Sequence, residues 1–173
     1  LEVLREKHEE QGRSDMFSKK KLAEVKSFIE KQSEQSKIYI GCDSDAFVTK
    51  RGKFADFYLV VVIHIEQSHG CKIFGEKFTE QDFTIDKKKP TYRLMKEVYK
   101  ASELYLELAE VIGIRDVEIH LDINRDERHA SSLVLDQAIG YIKGTCNIIP
   151  IVKPDSWCAT HVADKFLKVA NGR

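Results

Sequence analysis

Four carboxylates and one imidazole stand where they can act together: Asp43, Glu97, Asp122, Asp164 and His161. Asp43 follows the β-branched and aromatic run Lys37-Ile38-Tyr39-Ile40-Gly41-Cys42, and Asp122 follows Val117-Glu118-Ile119-His120-Leu121. Each run reads as a buried strand whose carboxyl tip bears acid. A sheet holds such a carboxylate rigidly, as a metal-dependent site requires. Asp also starts turns, and either residue taken alone admits that plainer role. Glu97 lies on the border of the inner stripe of a long helix, and Asp164 shares a helical face with Thr160 and His161.

Four convergent carboxylates without a counter-ion are costly: at ~4 Å and an effective dielectric of ~20, each pair repels by ~4 kcal/mol. Either some are protonated or the site holds divalent cations. Hard, oxygen-only ligands favour Mg²⁺ or Mn²⁺ over zinc. Such a cluster suits phosphodiester hydrolysis, one metal acidifying the attacking water and the other steadying the leaving oxygen. Asp43 is then the natural bridging ligand, with Asp122 and Glu97 on one metal and Asp164 on the other. Ser44 and Asp45 are placed to hydrogen-bond around these ligands. His161 is either a proton relay or an ordinary helix-surface histidine.

The elements that must position these groups follow from the pattern of the chain. Residues 1 to 17 are polar and weakly periodic, a frayed extension. Ser18 caps a helix to about Gln32, with Leu22, Val25, Phe28 and Ile29 on one stripe. The strand ending at Asp43 comes next. A turn at Lys50-Arg51-Gly52-Lys53 leads to a strand from Phe57 to Ile65, apolar on both faces and so central. A third strand, Cys71 to Thr79, is more polar and nearer an edge; the short connections imply an antiparallel meander. After a charged loop, Pro90 or Thr91 opens a helix to about Ile112, with Leu94, Val98, Ala101, Tyr105, Leu108 and Ile112 inward and Gly113 as its stop.

The order then alternates. Strand Val117 to Asp122 leads through a polar loop into a helix ending near Lys143, with Leu133, Val134, Ile139 and Ile142 inward and Gly144 as its cap. A strand from Asn147 to Val152 follows, and Pro154-Asp155-Ser156 starts a last helix to about Ala170. Helix-linked strands imply parallel pairing. The expected architecture is α/β: a five-stranded mixed sheet in the order 3-2-1-4-5, flanked by helices, with residues 1–35 as an N-terminal extension and helix and 36–173 as the main domain. The first and fourth strands are then neighbours at the point where winding reverses, which is where such sheets bind ligands. Asp43 and Asp122 are expected side by side.

At 173 residues, with 42% hydrophobic and 32% charged residues, the chain has the size and composition of one soluble domain. It has no apolar run of ~18 residues and no signal-peptide pattern at its start. Formal net charge is zero, so there is no global attraction to nucleic acid. Local basic runs exist at Lys19-Lys20-Lys21, at Lys50-Arg51 with Lys53, and at Lys87-Lys88-Lys89. The four cysteines have no CxxC or zinc spacing, and Cys42 reads as a small core hydrophobe. That fits a reducing, cytoplasmic setting.

Ile40-Gly41-Cys42-Asp43-Ser44, Ile119-His120-Leu121-Asp122-Ile123, Lys153-Pro154-Asp155-Ser156 and Val162-Ala163-Asp164-Lys165 resemble, in order, the motifs of the YkuK-type ribonuclease H-like family. Arg93 to Glu97 and Glu107-Leu108-Ala109-Glu110 are similar to that family's long helix. The resemblance covers about Lys37 to Lys168. It implies a ribonuclease H-like fold with Asp43, Glu97, Asp122 and Asp164 as metal ligands. Cys42 stands where the family usually has Thr, Asp45 where it often has Gln, and His161 where small hydroxyl residues are common. These departures touch fine specificity rather than the acids.

The expected function is a Mg²⁺- or Mn²⁺-dependent nuclease on RNA, DNA or a hybrid. The alternative is a non-catalytic nucleic-acid-binding or assembly module on the same fold. Nucleotide hydrolysis lacks support, since Gly41 is isolated and no GxxxxGK[ST] or GxGxxG occurs. Trp157 fits core packing or base stacking, Lys153 a phosphate contact or the surface, and His120 a partner of Asp122 or a satisfied core histidine.

Overall fold

The computed structural model describes residues 17–85, 90–126, 128–165 and 168; the expected frayed extension before Phe17 falls outside them. Helix α1 (Lys19–Glu30) is opened by Ser18, whose hydroxyl accepts from Lys21 N at 3.3 Å. Its Val25 and Ile29 are fully buried in the main core. Strands β1 (Lys37–Thr49), β2 (Gly52–His64) and β3 (Cys71–Gln81) form the antiparallel meander that the short connections imply. Helix α2 (Thr91–Ile112) crosses over to β4 (Val117–Leu121), which pairs parallel to β1. Helix α3 (Leu135–Cys146) follows.

Among the described residues the sheet has four strands in the order β3-β2-β1-β4, not the expected five. The stretch proposed as a fifth strand makes one parallel bridge, Ile151 to His120. Leu121 N donates to Ile151 O, and Ile151 N to Ile119 O, both at 2.8 Å. Asn147, left-handed with φ 55°, ends α3 just before this segment. A turn from Val152 to Asp155 carries the chain away just after it. Between those two turns the backbone lies beside β4 too briefly for a ladder.

Four further expectations change. β1 does not stop at Asp43: β2 pairs with it as far as Thr49↔Gly52, so this hairpin runs beyond the end of β4. The segment before α3 is a 3₁₀ turn over Ala130–Val134. Its tighter winding leaves Leu133 exposed and turns Val134, Ala138, Ile142 and Cys146 inward. α3 ends at Asn147 rather than at Gly144. The expected last helix is a π-helix over Cys158–Ala163, helical again at Asp164 and Lys165.

Strand alternation sorts the residues onto two faces. Ile38, Ile40 and Cys42 of β1 pack with Leu94, Val98 and Ala101 of α2 in the main core. Tyr39 faces the other way, toward Val60, Val62, Trp157, Cys158 and Ala163. Among the described residues, no helix is long and apolar enough to cross a membrane.

Gly41 lies on that second face, directly under the π-helix. A Cβ there would stand 2.7 Å from Ala159 N and 2.9 Å from Cys158 C, both backbone atoms that cannot rotate away. The absence of a side chain lets the helix rest on the strand. Gly41→Ala is expected to cost about 1–3 kcal/mol by overpacking. Gly140→Ala, in α3 with open space around it, is expected to gain roughly 0.5–1 kcal/mol. Urea unfolding of the two variants checks this; equal effects would mean that the strand–helix approach is not tight.

Candidate active site

The parallel ladder between β1 and β4 ends at Cys42↔Leu121. The next residue on each strand is an aspartate, so Asp43 and Asp122 stand beside each other where β4 stops. Both follow the alternation onto the face covered by the π-helix, as do Gly41 and His120. Asp43 Oδ1 accepts from Ser44 N at 2.8 Å. Asp122 Oδ1 accepts from Thr160 Oγ1 at 2.9 Å and pairs with Lys153 Nζ at 2.7 Å. Thr160 is in turn within 3.1 Å of the buried Ser156 hydroxyl.

Asp164, just past the π-helix, pairs with Lys168 at 2.6 Å. Burial and the neighbouring charges of Asp122 and then Asp164 raise the Asp43 carboxyl from 3.8 to about 7, against the Ser44 amide and Arg93, which favour its ionised form. A carboxyl so displaced has lost its solvent first and is then pressed by neighbouring negative charge.

Glu97 approaches from the opposite face of β1. It is buried, with its side chain 5% exposed. The Ser44 hydroxyl donates to its Oε1. Arg93, one helical turn earlier, donates through Nη1 to Ser44 O and Ser44 Oγ, each at 2.6 Å, and lies 3.8 Å from Glu97 Oε1. Desolvation, then the Asp43 charge, push the Glu97 carboxyl well above its usual range.

The four carboxylates expected to gather are therefore not equivalent. Asp43, Asp122 and Asp164 share the π-helix side of the sheet end, and Glu97 reaches it from beneath, through Ser44. Among the described residues, no three His, Cys, Asp or Glu side chains are arranged to hold a metal ion. Asp122, Asp164 and Glu97 each have a nearby cation instead: Lys153, Lys168 and Arg93. The donor chemistry, carboxylate oxygen throughout, suits a hard divalent ion. Occupation would require those oxygens to exchange their present partners for it.

His161 is exposed, and its backbone carbonyl accepts from Asp164 N. His120 is the satisfied core histidine. Its Nδ1 accepts from Cys158 N at 3.1 Å, and its Nε2 lies 3.0 Å from Glu118 Oε2, which fixes the Nε2–H tautomer. Trp157 packs edge-on against Tyr39 and His120 at 4.7 and 5.5 Å between ring centres, a core role.

Sequence reasoning missed Arg93, and the anchoring role of Thr160. An Arg four residues before a buried Glu on a helix was the available signal for the first. The second had none, because it depends on where the π-helix lands.

The displaced Asp43 carboxyl predicts a pH dependence. Its folded value lies above the unfolded one, so the native state binds the extra proton and gains stability that is fully present below about pH 4. That stability is lost as pH rises through about 7. Without divalent cations, Asp43→Asn is expected to match the wild type near pH 4 and to exceed it by about 2–4 kcal/mol at pH 8. Chemical denaturation across pH checks this, and a pH-independent difference would mean that the Asp43 carboxyl is not displaced.

A search of curated proteins and a search of solved structures each found no match. A family model described as Ribonuclease H-like matches residues 20–168, from α1 to beyond the π-helix. The sheet end with its paired aspartates and the supporting helices all lie inside that span, and the chain belongs to the ribonuclease H-like family.

Proposed function

We propose that the chain is a divalent-metal-dependent nuclease that hydrolyses phosphodiester bonds at the Asp43–Asp122 end of the sheet. The observation that supports this most is the register that sets Asp43 and Asp122 side by side where the β1–β4 ladder ends; burial first, and then the charges of Asp122 and Asp164, raise the Asp43 carboxyl to about 7. Such crowding destabilises the metal-free state and is relieved by a bound dication. Asp43, Asp122, Asp164 and Glu97 are the residues that would hold Mg²⁺ or Mn²⁺. The metal would supply an activated water and charge stabilisation at the leaving oxygen.

The rest of the work falls to the chain's own groups. Thr160 and Lys153 orient Asp122. Ser44 and Arg93 hold Glu97 in place as it loses its solvent. His161, exposed three residues before Asp164, is placed to exchange protons with water. The YkuK-type grouping, with its ordered motifs, points the same way. A shared fold does not fix function, so the activity rests on the site itself.

One observation favours a second reading. Because lysines and an arginine already lie against three of the carboxylates, the chain can also be a nucleic-acid-binding module that turns nothing over. A single experiment separates the two: labelled single-stranded, duplex and hybrid RNA and DNA are incubated with the protein in Mn²⁺. Cleavage is expected, abolished in Asp43→Asn and Asp122→Asn and slowed about 10²-fold in His161→Ala. Mn²⁺ is also expected to raise the wild-type Tm, by the equivalent of about 2.7 kcal/mol at roughly a hundred times its Kd, and not that of Asp43→Asn. Binding without cleavage or Mn²⁺ stabilisation would establish the second reading.

A further inference from the structure

The ion pairs at the sheet end differ in how firmly they are built. Lys168 and Asp164 lie one helical turn apart, with side chains 61% and 34% exposed. Such a pair forms and breaks freely in water. Lys153 and Asp122 come from separate stretches of chain, and their side chains are 32% and 22% exposed. The lysine is aimed by its backbone. Lys153 N donates at 3.0 Å to the carbonyl of Ile123, the residue after Asp122, and Asp155 N closes a turn onto Val152 O at 3.1 Å. Its backbone is therefore fixed beside the end of β4, and its ammonium reaches Asp122 Oδ1 at 2.7 Å.

The same oxygen also accepts from Thr160 Oγ1 at 2.9 Å. Its two partners are not alike. Thr160 has a short side chain carried by the π-helix, and its hydroxyl also lies 3.1 Å from that of the buried Ser156. Lys153 has a flexible four-carbon stem and a compact, strongly hydrated head. Thr160 keeps Asp122 in its rotamer whether or not the ammonium is there. Lys153 is the exchangeable partner.

We infer that Lys153 is a built-in counter-cation: it neutralises Asp122 while no metal is bound, a divalent cation must displace it, and it thereby sets the metal concentration at which the sheet end loads. The inference rests on the metal-dependent reading and says how that site is regulated. An ammonium and a dication on one carboxylate repel each other at contact distance. Coupling of this kind is reciprocal, so what the lysine gains from Asp122 is subtracted from the affinity of the metal. The lysine also selects by charge. A monovalent ion offers Asp122 no more charge than the ammonium already held there, whereas a dication offers twice as much. Lys153 reserves the carboxylate for divalent ions.

The test follows the Tm of the full chain as Mn²⁺ alone is titrated in, at constant ionic strength set with KCl. Lys153→Met is expected to load at a Mn²⁺ concentration about five- to tenfold below that of the wild type, through loss of a competing charge at a partly exposed site. Lys153→Arg keeps the charge and is expected to load at or above the wild-type concentration. On an Asp122→Asn background, Lys153→Met is expected to leave the Mn²⁺ response unchanged; a shift that persists there would place the competition elsewhere and overturn the inference. A lysine that only supports the turn would lower Tm equally at every Mn²⁺ concentration, and that result, with an unmoved midpoint, would overturn it too. So would a midpoint raised in Lys153→Met, because the lysine would then be assisting the metal. Should Lys153→Met not fold, Lys153→Gln carries the same comparison with a polar head. Failure of every variant to respond to Mn²⁺ would overturn the inference together with the metal reading. A shifted midpoint without cleavage of any oligonucleotide would overturn the nuclease reading alone and leave the counter-cation standing.

Discussion

The site depends on one termination. β1 and β4 run parallel and in register only to Cys42 and Leu121, and the residue that follows on each strand is an aspartate. Two backbones held about 4.8 Å apart by ladder hydrogen bonds cannot move their carboxylates away from each other as exposed side chains do. The sheet thus holds a repulsion that hydrophobic packing underneath must outweigh. Ile38, Ile40, Ile119 and Leu121 supply that packing, each at 2% exposure or less. Charge is placed where the core can sustain it.

On the other face, the π-helix is held at three points. Gly41 allows it to touch β1, His120 accepts the Cys158 amide, and Thr160 donates to Asp122. The first is steric, the second satisfies an amide at the start of the helix, and the third reaches the site itself. The wider winding of a π-helix is uncommon and often found at functional positions. Here it sets Thr160 against Asp122 while Cys158 and Ala163 stay packed on Val60 and Val62. His120 in turn leans on Glu118, which pairs with Lys37 at 2.6 Å, so the anchor continues to the far end of β1.

Much of this arrangement was legible in the residues, because period and punctuation carry it. The meander follows from short turns between apolar runs, and the parallel neighbour follows from a helical crossover. Cys42 reads correctly as a buried hydrophobe from its strand alone. What was hidden is non-local. Nothing in Asn147 to Val152 distinguishes a strand from a segment that touches the sheet edge once, since that depends on how the flanking turns direct the chain. Leu133 looks inward on an α-helical wheel and outward on a 3₁₀ one. The tip of β1 looks like a turn at Asp43-Ser44-Asp45 until β2 is seen to pair past it. Burial of Glu97 was foreseen only as a border position, because the Ser44 hydroxyl that satisfies it comes from a strand 53 residues away.

Arg93 shows why the helix and the strand cannot be treated as separate supports. Its Nη1 meets both the carbonyl and the hydroxyl of Ser44, and that hydroxyl donates to Glu97. A single guanidinium therefore fixes the rotation of α2 against β1 and lowers the cost of an ionised Glu97. A lysine there would offer a point charge without the planar fork. Desolvation and the Asp43 charge hold the Glu97 carboxyl well above its usual range, and Ser44 and Arg93 act against them. Asp122 and Asp164, by contrast, have ammonium partners within 2.7 Å. The two kinds of support divide the work, with lysines on the open side holding charge that solvent partly screens and an arginine on the buried side holding charge that solvent cannot reach.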